Sequence, residues 1–137
     1  MQNPAFRTPI AISLGAIAGA LWRYYLSLWF SQLFGTGFPY STAIVNLSGC
    51  FVMGFFTTLA LGRLIAIHPD IQLLVTTGFL GSYTTFSTYE LDVAKLLQER
   101  SLENDLVYCL ISSFFGLVSL FLGNALAEFF IKRLFIK

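Results

Sequence analysis

Residues 76–88 read Thr76-Thr-Gly-Phe-Leu-Gly-Ser-Tyr-Thr-Thr-Phe-Ser-Thr88, and their reading decides how the rest of the chain folds. Seven of the thirteen are Ser or Thr and two are Gly, yet the whole stretch lies inside an uncharged run from residue 71 to 89. A helix facing lipid has no use for so many hydroxyls. Gly78 and Gly81, three apart among β-branched threonines, also make a poor continuous helix. Irregular backbone at membrane depth persists only where it is buried in protein or lines a wet cavity. The segment therefore predicts a broken helix at a transport site. The competing reading is a Gly/Ser/Thr-rich packing face between helices.

Composition supports a membrane setting. The 137 residues are 56% hydrophobic and only 11% charged, with 15 Phe, whereas a soluble domain carries about 25% charged residues. Uncharged runs cover 24–62, 71–89 and 106–127. The first is too long for one span and breaks at the turn-rich Gly35-Thr-Gly-Phe-Pro39. The other two each suit a hydrocarbon core about 30 Å thick. We read an all-α membrane protein: one domain, 1–137, with four transmembrane helices at about 10–31, 41–63, 71–97 and 105–131. The first apolar stretch continues past Arg23 to Phe30, which argues against a cleaved leader ending near Ala16-Ile-Ala18.

Four spans put both termini on one side, with Arg7, Arg63, Lys132, Arg133 and Lys137. Lys95 and Arg100 fall on the other. The bias favours cytoplasmic termini only modestly and leaves insertion in both orientations open. One chain of four helices has few side chains left to line a pore after packing, so an oligomer is expected, and a symmetric dimer is the commonest kind. A net charge of +1 gives no footprint for a nucleic-acid partner.

Side-chain spacing adds detail. Gly15, Gly19 and Arg23 share one face of span 1, and Gly15-x-x-x-Gly19 is a close-packing motif. Arg23 must face protein or water at this depth, and we read it as an anchor on the carbonyls of a neighbouring loop. Span 2 carries Thr42, Asn46 and Gly49 on one face. An unpaired amide in hydrocarbon costs about 2–7 kcal/mol, so Asn46 must bond another helix, water or a substrate. Span 4 shows a stripe of Tyr108, Ser112, Gly116, Ser119, Gly123 and Ala127. Its lower half reads as packing, while Tyr108 and Ser112 add hydroxyls to a polar track. Cys50 and Cys109 lie inside spans and are expected as free thiols.

The missing acids are as informative. No Asp or Glu occurs in the first 69 residues. Proton-coupled cation exporters use an intramembrane carboxylate, and small four-helix multidrug or guanidinium-type exporters, the alternative reading, carry a Glu in the first span. The equipment here is amide, hydroxyl, backbone and aromatic edge, which suits an anion. Ring edges are positive, and Phe86 and Tyr89 share a face after the break, with Phe51, Phe55 and Phe56 as further rings on span 2. No nucleophile–base pair suggests an enzyme, and His68 sits beside Pro69 in a loop.

Three ordered motifs carry a resemblance. Thr77-Gly-Phe-Leu-Gly-Ser-Tyr-Thr-Thr-Phe-Ser-Thr88 resembles the signature of the fluoride channel family, the CrcB-type or Fluc proteins. Gly15-Ala-Ile-Ala-Gly-Ala-Leu-Trp-Arg-Tyr24 and Thr42-Ala-Ile-Val-Asn-Leu-Ser-Gly49 are similar to its first- and second-span motifs. The resemblance implies an antiparallel, dual-topology homodimer in the plasma (inner) membrane of a prokaryote. It would conduct fluoride passively through two narrow pathways and so relieve fluoride toxicity. It places Asn46 as the pore amide that donates to fluoride, and Phe86 as the first aromatic of a phenylalanine box. Thr85, Ser87 and Thr88 match the hydroxyl-bearing part of the motif. Tyr108 and Ser112 match a polar track, and Thr42 a polar position one turn before Asn46. Gly81 and Thr84 match positions whose carbonyls hold a structural Na+ between the subunits.

The chain also departs from the pattern. Tyr89 stands where a second Phe is usual, and its hydroxyl has three candidate uses: a bond to Thr85, a bond to Asn46, or lining the path. Ser82-Tyr83 replaces a small-plus-apolar pair. Asp92, favoured over Glu90 by its spacing from Phe86, falls at the pathway end, or else pairs with Lys95 on a wet helix face.

Overall fold

The computed structural model describes residues 4–35, 38–61, 67–99 and 102–135. Arg63, Arg100 and Lys137 of the charge count, and the side chain of Cys109, lie outside the described residues. The described chain is helical almost throughout. Helix α1 spans Pro4–Phe34 and α2 Tyr40–Leu61. A segmented run follows: α3 Pro69–Leu73, a π-helical stretch Leu74–Leu80, and α4 Gly81–Tyr83. Thr84 and Thr85 are not helical, and α5 Phe86–Glu99 and α6 Leu102–Phe135 complete the chain. Three described helices are long and apolar enough to cross a membrane, over Ala5–Phe34, Tyr40–Ala60 and Ser112–Arg133.

Glycine positions explain the packing. Helix α1 stops at Gly35, whose φ of 74° is open to glycine at little cost and whose N–H reaches the Ser31 carbonyl at 3.0 Å. Helix α2 lies along α6. A Cβ at Gly54 would run into the Leu120 carbonyl, and one at Gly123 into that of Phe51. The two backbones therefore touch, as small residues in membrane helices allow. Ser119 Oγ donates to the Leu47 carbonyl at 2.8 Å, and Thr58 Oγ1 to Asn124 Oδ1 at 3.1 Å. The stripe from Gly116 to Ala127 thus faces α2, and Ala127 is fully buried.

Helix α1 packs against the segmented run instead. A Cβ at Gly15 would meet the Leu74 carbonyl, and one at Gly19 the Phe79 carbonyl and Ser82 Oγ. Arg23 Nε donates to the Ser82 carbonyl at 3.1 Å, the anchor its depth required. At the far end Arg7 pairs with Asp70, which also accepts from Thr8 Oγ1 at 3.2 Å. His68 is not simply in a loop: it caps α3, its Nδ1 accepting the Asp70 N–H at 3.2 Å, with Pro69 at the first helical position.

The interruption does not fall at the glycines. Gly78 and Gly81 remain helical. Gly78 serves close approach, its missing Cβ leaving room for Gly15 Cα, and the wide turn around it is the π form often found near functional sites.

Candidate functional site

The break is made by competition for two backbone N–H groups. In an unbroken helix Thr85 would donate to the Gly81 carbonyl and Thr88 to that of Thr84. Here the Thr85 N–H goes to Asn46 Oδ1 at 2.8 Å, and the Thr88 N–H to Thr85 Oγ1 at 3.2 Å. Asn46 Nδ2 returns a bond to the Thr85 carbonyl at 3.0 Å. Since an N–H needs an acceptor and a carbonyl a donor, these two bonds fix which way the amide points. They take only one of its two N–H hydrogens. Thr84, extended at ψ 155°, connects the helical pieces. Its own N–H and Oγ1 both reach the Leu80 carbonyl, at 3.0 and 2.9 Å.

Thr85 then starts the next helix. Its Oγ1 accepts from the third residue of α5 and donates to Thr88 Oγ1 at 2.9 Å, the arrangement of an N-cap. Ser87 Oγ lies 3.5 Å from the same oxygen. Gly49, three residues beyond Asn46, matters because a Cβ there would strike the Thr84 methyl.

Two neighbouring cavities result. The larger, about 460 Å³, is lined by Asn46, Thr84, Thr85, Phe86, Tyr89 and Ser112, with an apolar floor that includes Cys50, Met53 and Leu117. The smaller, about 310 Å³, holds Thr42, Thr88, Asp92 and Lys95. Thr42 Oγ1 donates to Asp92 Oδ2 at 2.6 Å. Asp92 is therefore tied across to α2, and no Asp92–Lys95 ion pair occurs among the described residues.

The rings divide sharply in exposure. Phe86 is 74% exposed and Tyr89 6%, with centroids 6.0 Å apart. Tyr89 lies 5.8 Å from Tyr108, which in turn meets Phe38 edge-on at 5.1 Å. The Tyr89 hydroxyl points to Ser113 Oγ at 3.5 Å, not to Thr85 or Asn46 as two of its candidate uses required. Tyr108 stands behind Tyr89, so the track on α6 reaches the larger cavity through Ser112. Of the rings expected from α2, Phe55 packs edge-on against Phe130.

Gly81 lies one turn before the break. Sequence reasoning missed Ser113, whose only signal was its place beside Ser112, and Ser48, which bonds the Tyr83 hydroxyl at 2.8 Å.

A family model described as "CrcB-like protein, Camphor Resistance (CrcB)" matches residues 10–124, a range holding the glycine face of α1, Asn46, the break and Ser112. The chain belongs to the CrcB family. Among CrcB relatives it is similar to the "Fluoride-specific ion channel FluC" of Trichormus variabilis, 54% identical over 128 residues and 93% of each chain. The protein of the same name from Synechococcus sp. is 56% identical over 93% of this chain and 98% of its own. That from Synechocystis sp. is 46% identical over 90% and 95%. The first- and second-span motifs of this CrcB chain meet the third at neighbouring points, Gly19 and Arg23 at Phe79 and Ser82, Asn46 and Gly49 at the unwound Thr84–Thr85.

Proposed function

We propose that this chain is a fluoride-selective channel through which fluoride leaves the cell passively, protecting it from fluoride toxicity. The neutral acid enters and ionises, and the anion returns down its gradient. The observation that carries the reading is the larger cavity, which gathers amide, hydroxyl and aromatic ring with no carboxylate among the described residues that line it. Fluoride is small and strongly hydrated, so a selective path must replace its water with close donors. Asn46 keeps one N–H beyond its bonds to Thr85. Thr42, Thr85, Ser87, Thr88 and Ser112 supply hydroxyls along the way. Phe86 and Tyr89 offer positive ring edges, and Tyr108 backs Tyr89.

In this reading the segmented run from Pro69 to Glu99 crosses the bilayer as a broken third helix, giving four spans in the inner membrane of a prokaryote. The functional unit is an antiparallel homodimer. Exposure of Phe86 in the single chain supports a partner at that face. The partner also bears on Na+. The Gly81 and Thr84 carbonyls, whose helical donors are directed elsewhere, are hard oxygen ligands of the kind that suit hard cations. One chain supplies two and a dimer four, enough to hold a structural Na+ at the centre.

The test is efflux from liposomes holding purified protein, followed with a fluoride electrode and with chloride as control. Rapid fluoride release without chloride release is expected. Folded protein that releases no fluoride would remove the channel reading.

A further inference from the structure

Ser82-Tyr83 departs from the family pattern, and its two side chains are held by different helices. The Ser82 carbonyl receives Arg23, and its hydroxyl meets the Ala16 carbonyl at 2.9 Å. Tyr83 is the last helical residue before Thr84, is 6% exposed, and stacks on Phe79 with centroids 5.8 Å apart. Its hydroxyl lies 2.8 Å from Ser48 Oγ. Ser48 also reaches back to the Ile44 carbonyl at 2.7 Å and the Val45 carbonyl at 3.1 Å. A serine hydroxyl has one hydrogen. The backbone carbonyl of the preceding turn takes it, so the phenol is the donor and Ser48 the acceptor.

Helix α2 thereby grips both sides of Thr84. Ser48 holds Tyr83 before it, Asn46 holds Thr85 after it, and Gly49 admits its methyl between them. With both flanks bonded, the torsions that aim the Thr84 carbonyl have little freedom left.

We propose that Tyr83 is a positioning residue: its bond to Ser48 aims the Thr84 carbonyl and so tunes the affinity of the channel for Na+. The inference rests on the sodium reading above. Tyr83→Phe removes the hydroxyl and keeps the ring, and Ser48→Ala removes the acceptor and keeps the helix. Fluoride efflux from liposomes is measured over a Na+ series with N-methylglucamine as the replacing cation. Dimer content is read by size exclusion at the highest Na+. Both variants should raise the half-saturating Na+ about threefold to tenfold, the worth of one net hydrogen bond. The double variant should go no further than either single one, and flux and dimer content at saturating Na+ should match the parent.

Thr57→Ala, which removes another hydroxyl that bonds back along α2, at 2.7 Å to the Met53 carbonyl, should leave the Na+ dependence unchanged. Unshifted half-saturation in Tyr83→Phe and Ser48→Ala overturns the positioning role and leaves the sodium reading standing. So does a loss of dimer at unchanged half-saturation, which would make the bond a folding contact. A parent channel indifferent to Na+ overturns the sodium reading, and this role with it.

Discussion

Asn46 and Thr85 exchange two hydrogen bonds, one in each direction, between a side-chain amide on α2 and the main chain of the unwound residue. Replacing Asn46 by Ala leaves a part-buried N–H and a part-buried C=O to find other partners, at a cost below the roughly 1–3 kcal/mol of a fully buried orphan. Asn46→Asp keeps an acceptor for the N–H, offers no donor to the carbonyl, and adds negative charge to an anion path. Fluoride efflux should fall at least about 100-fold in Asn46→Asp, the effect of roughly 3 kcal/mol on a barrier. Unchanged efflux would reduce Asn46 to a packing residue.

Phe86 is the large ring left uncovered at the cavity. Phe86→Ile keeps an apolar side chain of fair size and removes the polarised edge. Flux should be abolished while the dimer still elutes intact. Normal flux would take Phe86 out of the path.

Tyr89 differs, because its ring is buried and its hydroxyl sits at 3.5 Å from Ser113, at the limit of a hydrogen bond. Tyr89→Phe keeps the buried ring and its positive edge, so efflux should stay within about twofold. Loss of flux in this variant would show that the hydroxyl itself is needed.

Gly19, packed on the segmented run, and Gly81, within that run, should respond unequally to alanine. At Gly19 the new methyl would meet the Phe79 backbone, which cannot swing aside, and overpacking of this kind costs about 1–3 kcal/mol. At Gly81 the nearest atom is the Thr76 carbonyl at 3.6 Å, an ordinary contact, and the backbone is right-handed helical. Thermal unfolding in detergent should show a clear loss for Gly19→Ala and almost none for Gly81→Ala.

The apolar runs, the density of hydroxyls at 76–88 and the need of Arg23 and Asn46 for partners are all visible along the chain. Each follows from what a residue cannot do in hydrocarbon. The position of the break is not visible in the same way. Local propensity points to Gly78 and Gly81, whereas the interruption comes at Thr84–Thr85, where Asn46, 39 residues earlier, captures an N–H. Close packing of α1 absorbs Gly78 instead. The Tyr83–Ser48 bond and the turn of Tyr89 toward Ser113 were hidden for the same reason, since both depend on how one helix is rotated against another.

The grip of α2 on the unwound residues, and of α1 on the helical turn before them, makes this signature a poor candidate for transplantation. Moved alone into another bundle, residues 76–88 would bring the hydroxyls and the ring but neither the Arg23 guanidinium under Ser82 nor the Asn46 amide on Thr85. Nothing would then draw the Thr85 N–H away from Gly81, and the helix could simply close. The smallest piece able to carry the property from one scaffold to another is therefore the three segments together, so a chimera that exchanges any one of them tests the inheritance of all three.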